Sequence, residues 1–134
     1  MAKGRKISVV GAGAVGTAVA YAALIRQVAN EIALYDINTP KVEAEAADLA
    51  HGSHFTGWPH VSGSSDIAVT SGSDIVVITA GAKQNPGQSR LELVRDNARI
   101  LKAMIPKLVE ASPDAIFIDQ DVGGVAKEMD GGVV

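Results

Sequence analysis

The sequence predicts an α/β fold, a doubly wound parallel sheet with helices on both faces, and three observations carry that prediction. Short β-branched runs alternate along the chain with segments of helical periodicity, an arrangement that gives right-handed crossovers and parallel strand order. The hydrophobic share is 47% with only 4% aromatic residues, so the core is built of Val, Ile, Leu and Ala, as in sheets covered on both sides. The first β-branched run ends in Gly11-Ala12-Gly13-Ala14-Val15-Gly16, a strand-to-helix turn with glycines at the spacing of a dinucleotide site. At 134 residues the chain fits one such domain, long enough to bury about two-thirds of its unfolded surface.

Each element follows from its residues. A loose, solvated tail, residues 1–6, carries the basic cluster Lys3-Gly4-Arg5-Lys6 and precedes the domain proper, residues 7–119. Ile7 to Val10 form the first strand. Gly11 permits the tight turn, Gly13 lets the backbone approach a pyrophosphate, and Gly16 lets the next helix lie close to the sheet. The first helical amide groups, from Ala14 on, have no partner inside the helix and face the anion. That helix runs to about Gln27 and is rich in small residues. The second strand, from Glu31, closes on Asp36, about twenty residues past the glycines, where a carboxylate accepts hydrogen bonds from ribose hydroxyls. No Arg stands in Ile37-Asn38-Thr39 to receive a 2′-phosphate, so NAD is favoured over NADP.

Pro40 suits the start of a second helix, which runs to His51 with Val42, Ala46 and Leu49 on its apolar period. Residues 52–59 have loop chemistry, Val61 to Ser65 form a short third strand, and an irregular connection follows. Asp74 to Ala80 is the fully covered fourth strand, and the polar loop of residues 81–89 lies at its C-terminal end, where doubly wound sheets bind ligands. Leu91, Val94, Ala98, Leu101 and Ile105 trace the apolar stripe of a third helix, which Pro106 is expected to kink or break. Ala115 to Asp119 is the fifth strand. The expected order is 3-2-1-4-5, a Rossmann-type sheet. Residues 120–134 hold four glycines and form a divergent tail with at most one helical turn around Ala126 to Met129.

Composition excludes several classes of function. Twelve Lys and Arg against fifteen Asp and Glu give a net charge of −3, which recruits no nucleic acid. There is no cysteine, hence no disulfide frame, thiolate nucleophile or Cys-based metal site, and the three histidines show no metal spacing. No signal-peptide h-region or membrane-spanning run is present, and a cytoplasmic protein is expected.

The motifs taken together resemble the N-terminal, nucleotide-binding part of the lactate and malate dehydrogenase family. The matching pieces are Gly11-Ala12-Gly13-Ala14-Val15-Gly16, Leu34-Tyr35-Asp36, Asp48-Leu49-Ala50-His51-Gly52, Thr79-Ala80-Gly81-Ala82, Gln84 to Leu91 as Gln-Asn-Pro-Gly-Gln-Ser-Arg-Leu, and Arg95-Asp96-Asn97. The resemblance implies that Val15, Asp36, Lys41, Gly81 and Ala82 line an NAD site and that Asn97 sits near cofactor and substrate. It puts Gln84 where the family sets substrate choice. A neutral amide there suits the methyl end of pyruvate, whereas an Arg would pair the second carboxylate of oxaloacetate, so the resemblance tilts to L-lactate. Arg90 matches the lid Arg that steadies charge on the carbonyl oxygen during hydride transfer. His51 is read as a helix-end packing or interface residue rather than a catalyst.

The resemblance stops near Ile118. Where the family continues into a Thr-Asn-Pro motif, Val122 and Gly123 stand here, and the family's later substrate-binding Arg and proton-exchanging His with its partner Asp are absent. The expectation is therefore a truncated, frame-shifted or engineered product without turnover of its own, since a general acid contributes a factor of about a hundred to ten thousand. NAD(H) is the expected partner, and a small 2-oxo or 2-hydroxy acid only if the missing half completes the site. The uncovered apolar surface is expected to promote self-association or homo-oligomers. Two other readings stand beside this one, a non-catalytic nucleotide-binding or interaction module and a malate dehydrogenase fragment.

Overall fold

The computed structural model describes residues 4–53, 59–81 and 83–119. Five parallel strands, β1 (Lys6–Val10), β2 (Glu31–Tyr35), β3 (His60–Ser64), β4 (Ile75–Ile78) and β5 (Ile116–Asp119), form one sheet in the order β3-β2-β1-β4-β5. This is the expected order, and the strand sequence reverses direction between β1 and β4, where the C-terminal ends open a crevice. Helices α1 (Ala14–Ile25), α2 (Thr39–Ser53) and α3 (Arg90–Ala111) and a 3-10 turn at Ile67–Thr70 make the crossovers.

The pleat sends alternate residues to opposite faces, and two cores result. On one face Val9, Ile32 and Leu34 pack with Ala20 and Leu24 of α1 and Val42, Ala46 and Leu49 of α2. On the other, Val10, Val76 and Ile78 pack with Leu101 and Leu108 of α3. Buried hydroxyls tie the N-terminal ends of the strands to the end of α3. Ser8 and Ser73 share a 2.6 Å hydrogen bond, the Ser73 amide donates to Ser112 Oγ at 3.0 Å, and the Ser73 and Ser112 hydroxyls both donate to the Thr70 carbonyl.

Local differences from the sequence expectations have identifiable causes. Of the tail expected to be loose over residues 1–6, residues 5 and 6 are held by the sheet: Lys6 opens β1, its amide donates to Asp74 Oδ2 and its ammonium lies 3.2 Å from Glu31, while the Arg5 amide donates to Asn30 Oδ1. Helix α1 ends at Ile25 because Gln27 takes φ +52°, with Gln27 N–H donating to Leu24 O and Val28 N–H to Ala23 O, a Schellman closure. Helix α2 begins one residue before Pro40 and runs on through Gly52 to Ser53. Pro106 does not break α3, which continues to Ala111. Burial of Leu101 and Leu108 on either side holds the helix together there, against the lost Pro106 amide bond. Leu91 and Val94, expected on the core stripe, are exposed, because the first turns of α3 lie beyond the residues that form the second core.

Candidate functional site

The crevice forms where three strand ends meet the glycine turn. Gly11 takes φ +104°, its amide donates to the Tyr35 carbonyl at 2.7 Å, and a Cβ there would sit 2.8 Å from the Ala80 nitrogen. At Gly16 a Cβ would collide with the Gly11 carbonyl oxygen. These two glycines are required by the fold itself. Gly13 is different. It has extended backbone (φ −76°, ψ −173°) that any residue adopts, and no atom lies within 4 Å of where its Cβ would point. Its missing side chain leaves open space above the turn, a cradle that suits a bulky anion. Gly13 also supplies no side-chain cap, and no acidic residue stands in the first turn of α1, where Thr17 N–H makes the first intrahelical bond, to Gly13 O at 2.9 Å. The amide groups of Ala14, Val15 and Gly16 are thus the helix's unpartnered donors, at the positive end of its dipole.

Asp36 stands just past β2 at the mouth of this turn. Its Oδ2 accepts from the Ala12 amide at 2.7 Å and its Oδ1 from the Asn38 amide at 2.9 Å, so the carboxylate is oriented by backbone on two sides. Each oxygen keeps a lone pair for a further donor. Asn38 in turn caps the start of α2 by accepting from the Lys41 amide at 3.1 Å, which sets Lys41 on the first turn of the helix beside the cleft.

The cleft has a volume of about 720 Å³, within the roughly 300–1,000 Å³ of small-molecule sites. Of the residues expected to bind cofactor, Gly11, Gly13, Ala14, Val15, Gly16, Asp36, Lys41 and Gly81 line it together. Ala82 lies outside the described residues. The sequence assigns no site role to the opposite wall, which is formed by Tyr35 and Thr79, present there only within motifs, by Ile67 and, from α3, by Ile100, Ala103, Met104 and Lys107. Spacings of three, one and three along α3 are themselves a helical stripe, so a second periodicity beside the core stripe was the available signal. Lys41, Lys83 and Lys107 face one carboxylate, Asp36, so the cleft is cationic in a chain of net negative charge and favours an anionic ligand.

Gln84, Arg90 and Asn97 do not line the cleft. Asn85 to Gln88 form a β-turn with Pro86 second, Gly87 third at φ +82° and Gln88 N–H donating to Asn85 O, the geometry of a type II turn. Gln88 fastens this turn, donating to Asp96 Oδ2 at 2.8 Å and accepting from the Asn85 amide, and its carbonyl accepts from Gln84 Nε2 at 2.7 Å. Arg90 is exposed at the start of α3, behind the Ser89–Glu92 capping box. Among the described residues no group of three His, Cys, Asp or Glu could hold a metal ion, and no helix is long and apolar enough to cross a membrane.

Comparison with known proteins places this geometry. A family profile described as lactate/malate dehydrogenase, NAD binding domain, matches residues 5–119. An L-lactate dehydrogenase of Bifidobacterium animalis subsp. lactis is 48% identical over 116 residues, 87% of this chain and 36% of that protein. One from Clostridium botulinum is 50% identical over 113 residues, 84% of this chain and 35% of that protein. Among solved structures, the malate dehydrogenase of Archaeoglobus fulgidus in complex with NADH superposes with a TM-score of 0.81 at 38% identity, covering 85% of this chain and 39% of that one. The ligand-bound minor L-lactate dehydrogenase of Enterococcus mundtii gives a TM-score of 0.79 at 38% identity, covering 86% and 37%. The chain thus spans little more than a third of the length of these relatives.

Proposed function

The chain belongs to the lactate/malate dehydrogenase family, whose NAD-binding domain it carries, and from that premise we propose how its residues hold the cofactor. The diphosphate lies over Gly13 and accepts from the amides of Ala14, Val15 and Gly16. Asp36 accepts from the adenosine ribose hydroxyls, while Val15, Lys41 and Gly81 line the site; for Ala82 and Asn97 a place near cofactor and substrate rests on the family resemblance alone. The observation that carries this reading is the pairing at the turn: Asp36 is anchored 2.7 Å from the Ala12 amide at the mouth of a glycine cradle that protein atoms leave open at Gly13. A carboxylate fixed there repels a 2′-phosphate, which supports NAD over NADP.

Bound NADH supplies the hydride. The chain's own residues bind and orient it, and in a protein of the relatives' length Gln84 and Arg90 select a 2-oxo acid and steady the charge on its carbonyl oxygen. Gln84 and the identity to L-lactate dehydrogenases support pyruvate as that acid. The described histidines, His51 and His60, do not line the cleft and carry no proton-transfer role in this reading. An NADH fluorescence titration of the 134-residue chain tests it. Saturable binding that Asp36→Ala weakens at least about tenfold is expected, and no saturable signal at millimolar protein refutes it.

One observation favours a second reading, a nucleotide-binding module without catalysis: neither Gln84 nor Arg90 reaches the cleft, and the Gln84 amide is engaged within its own turn. A pyruvate reduction assay decides, since clear turnover by the purified chain excludes the module. The likeness to the Archaeoglobus fulgidus malate dehydrogenase favours a third, a malate dehydrogenase fragment, and a preference for oxaloacetate over pyruvate in an active preparation would establish it.

A further inference from the structure

Directly after β4, Thr79 faces the glycine turn from the side opposite Asp36. Its Oγ1 lies 3.1 Å from both the Val10 and Gly11 carbonyl oxygens, which share its one proton in a bifurcated hydrogen bond, and its amide donates to Val10 O at 2.8 Å. The same hydroxyl fills the space next to both fold-required glycines, since a Cβ at Gly11 or at Gly16 would come within 2.9 or 2.7 Å of it. On its other side the turn is held by strand β2, through Gly11 N–H to Tyr35 O and Ala12 N–H to Asp36. The peptide between Gly11 and Ala12 is therefore gripped at both ends, its carbonyl by Thr79 and its amide by Asp36.

From this we infer that Thr79 is a positioning residue of the dinucleotide site: its hydroxyl, by holding the Gly11 carbonyl, fixes the tilt of the turn and so the aim of the amides that receive the diphosphate. The inference rests on the NAD reading for its ligand and on geometry alone for its mechanism. A loosened turn lets those amides spread over several orientations, and the ordering then has to occur on binding, which weakens affinity. Thr79→Val keeps the shape, removes the donor and sets a methyl group against two carbonyl oxygens. Thr79→Ser keeps the donor.

The test measures NADH affinity by fluorescence, and amide hydrogen exchange without nucleotide, on the full chain and both variants, with melting temperature recorded for each. The expected result is that Thr79→Val weakens NADH about tenfold and speeds exchange at Ala12 to Thr17 relative to β2 and α2, while Thr79→Ser stays within about twofold of the parent. The inference is overturned if Thr79→Val binds and exchanges like the parent, if Thr79→Ser is as impaired as Thr79→Val, or if the variants only melt lower while the folded protein keeps its affinity. If the parent chain itself shows no saturable NADH signal, the nucleotide reading fails. The exchange measurement then decides on Thr79 by itself: selective loosening of the turn in Thr79→Val supports the positioning role, and uniform exchange overturns it.

Discussion

Gly13→Ala and Gly16→Ala make a matched pair, one methyl group each, three residues apart in one turn, with opposite expected effects. At position 13 the added Cβ meets no protein atom within 4 Å, and the backbone is already in the extended region. The folded state therefore tolerates the methyl. Alanine is a poorer N-cap than glycine by roughly 0.5–1 kcal/mol, and the stiffer unfolded chain offsets this by about 0.4–1 kcal/mol, so the stability change is expected to lie within about 1 kcal/mol of zero. Binding is another matter, because the methyl projects into the space assigned to the diphosphate. Displacing the anion from two amides, each charge-assisted bond contributing about 1.5–3 kcal/mol, costs at least about 3 kcal/mol, a loss of more than about a hundredfold in affinity. At position 16 the methyl collides with the Gly11 carbonyl oxygen and crowds Thr79 Oγ1. Helix α1 has to move off the turn, and a destabilisation of about 3 kcal/mol or more is expected, the upper range for overpacking. Urea unfolding followed by circular dichroism gives the stabilities, and NADH fluorescence titration gives the affinities. Gly13→Ala binding NADH as tightly as the parent would refute the placement of the diphosphate, and a Gly16→Ala protein as stable as the parent would refute the close approach of α1 to the sheet.

Pro106→Ala is expected to stabilise the protein by about 1–3 kcal/mol, because an exposed position inside a continuous helix regains an amide donor without disturbing Leu101 or Leu108; an unchanged urea midpoint would count against it. Ser112→Ala removes the acceptor for the buried Ser73 amide and one donor to Thr70 O, a loss of about 1–3 kcal/mol readable in the same unfolding experiment. Ile116 and Ile118 are 65% and 48% exposed, and they stand opposite Ile75 and Val77 on the sheet face that α1 and α2 cover only over the other three strands. That apolar patch should drive self-association, so Ile116→Thr with Ile118→Thr lowers the weight-average mass in sedimentation equilibrium, and a parent chain that stays monomeric would refute the expectation.

Much of the molecule was legible in order along the chain. β-branched runs, helical periodicity and a glycine-spaced turn are local signals, each set by φ/ψ limits and side-chain direction over a few residues, and right-handed crossovers then leave little choice of strand order. The same locality makes Asp36 readable, since a strand of known start brings its last residue to the sheet's C-terminal edge. The boundaries were less legible where local and tertiary forces compete. Proline at position 106 reads as a stop by its own chemistry, but burial of Leu101 and Leu108 outweighs it.

What the sequence determined, then, is a five-stranded parallel sheet with its dinucleotide turn and its acidic partner, because those features are encoded by residues close together in the chain. Only the tertiary structure decided which side chains face each other across the crevice: Thr79 gripping Gly11 from 68 residues away, and Ile100, Met104 and Lys107 forming a wall opposite Lys41. Contacts of that kind depend on strand register and helix rotation, which a shift of one residue would change entirely, and no single segment of sequence carries that information.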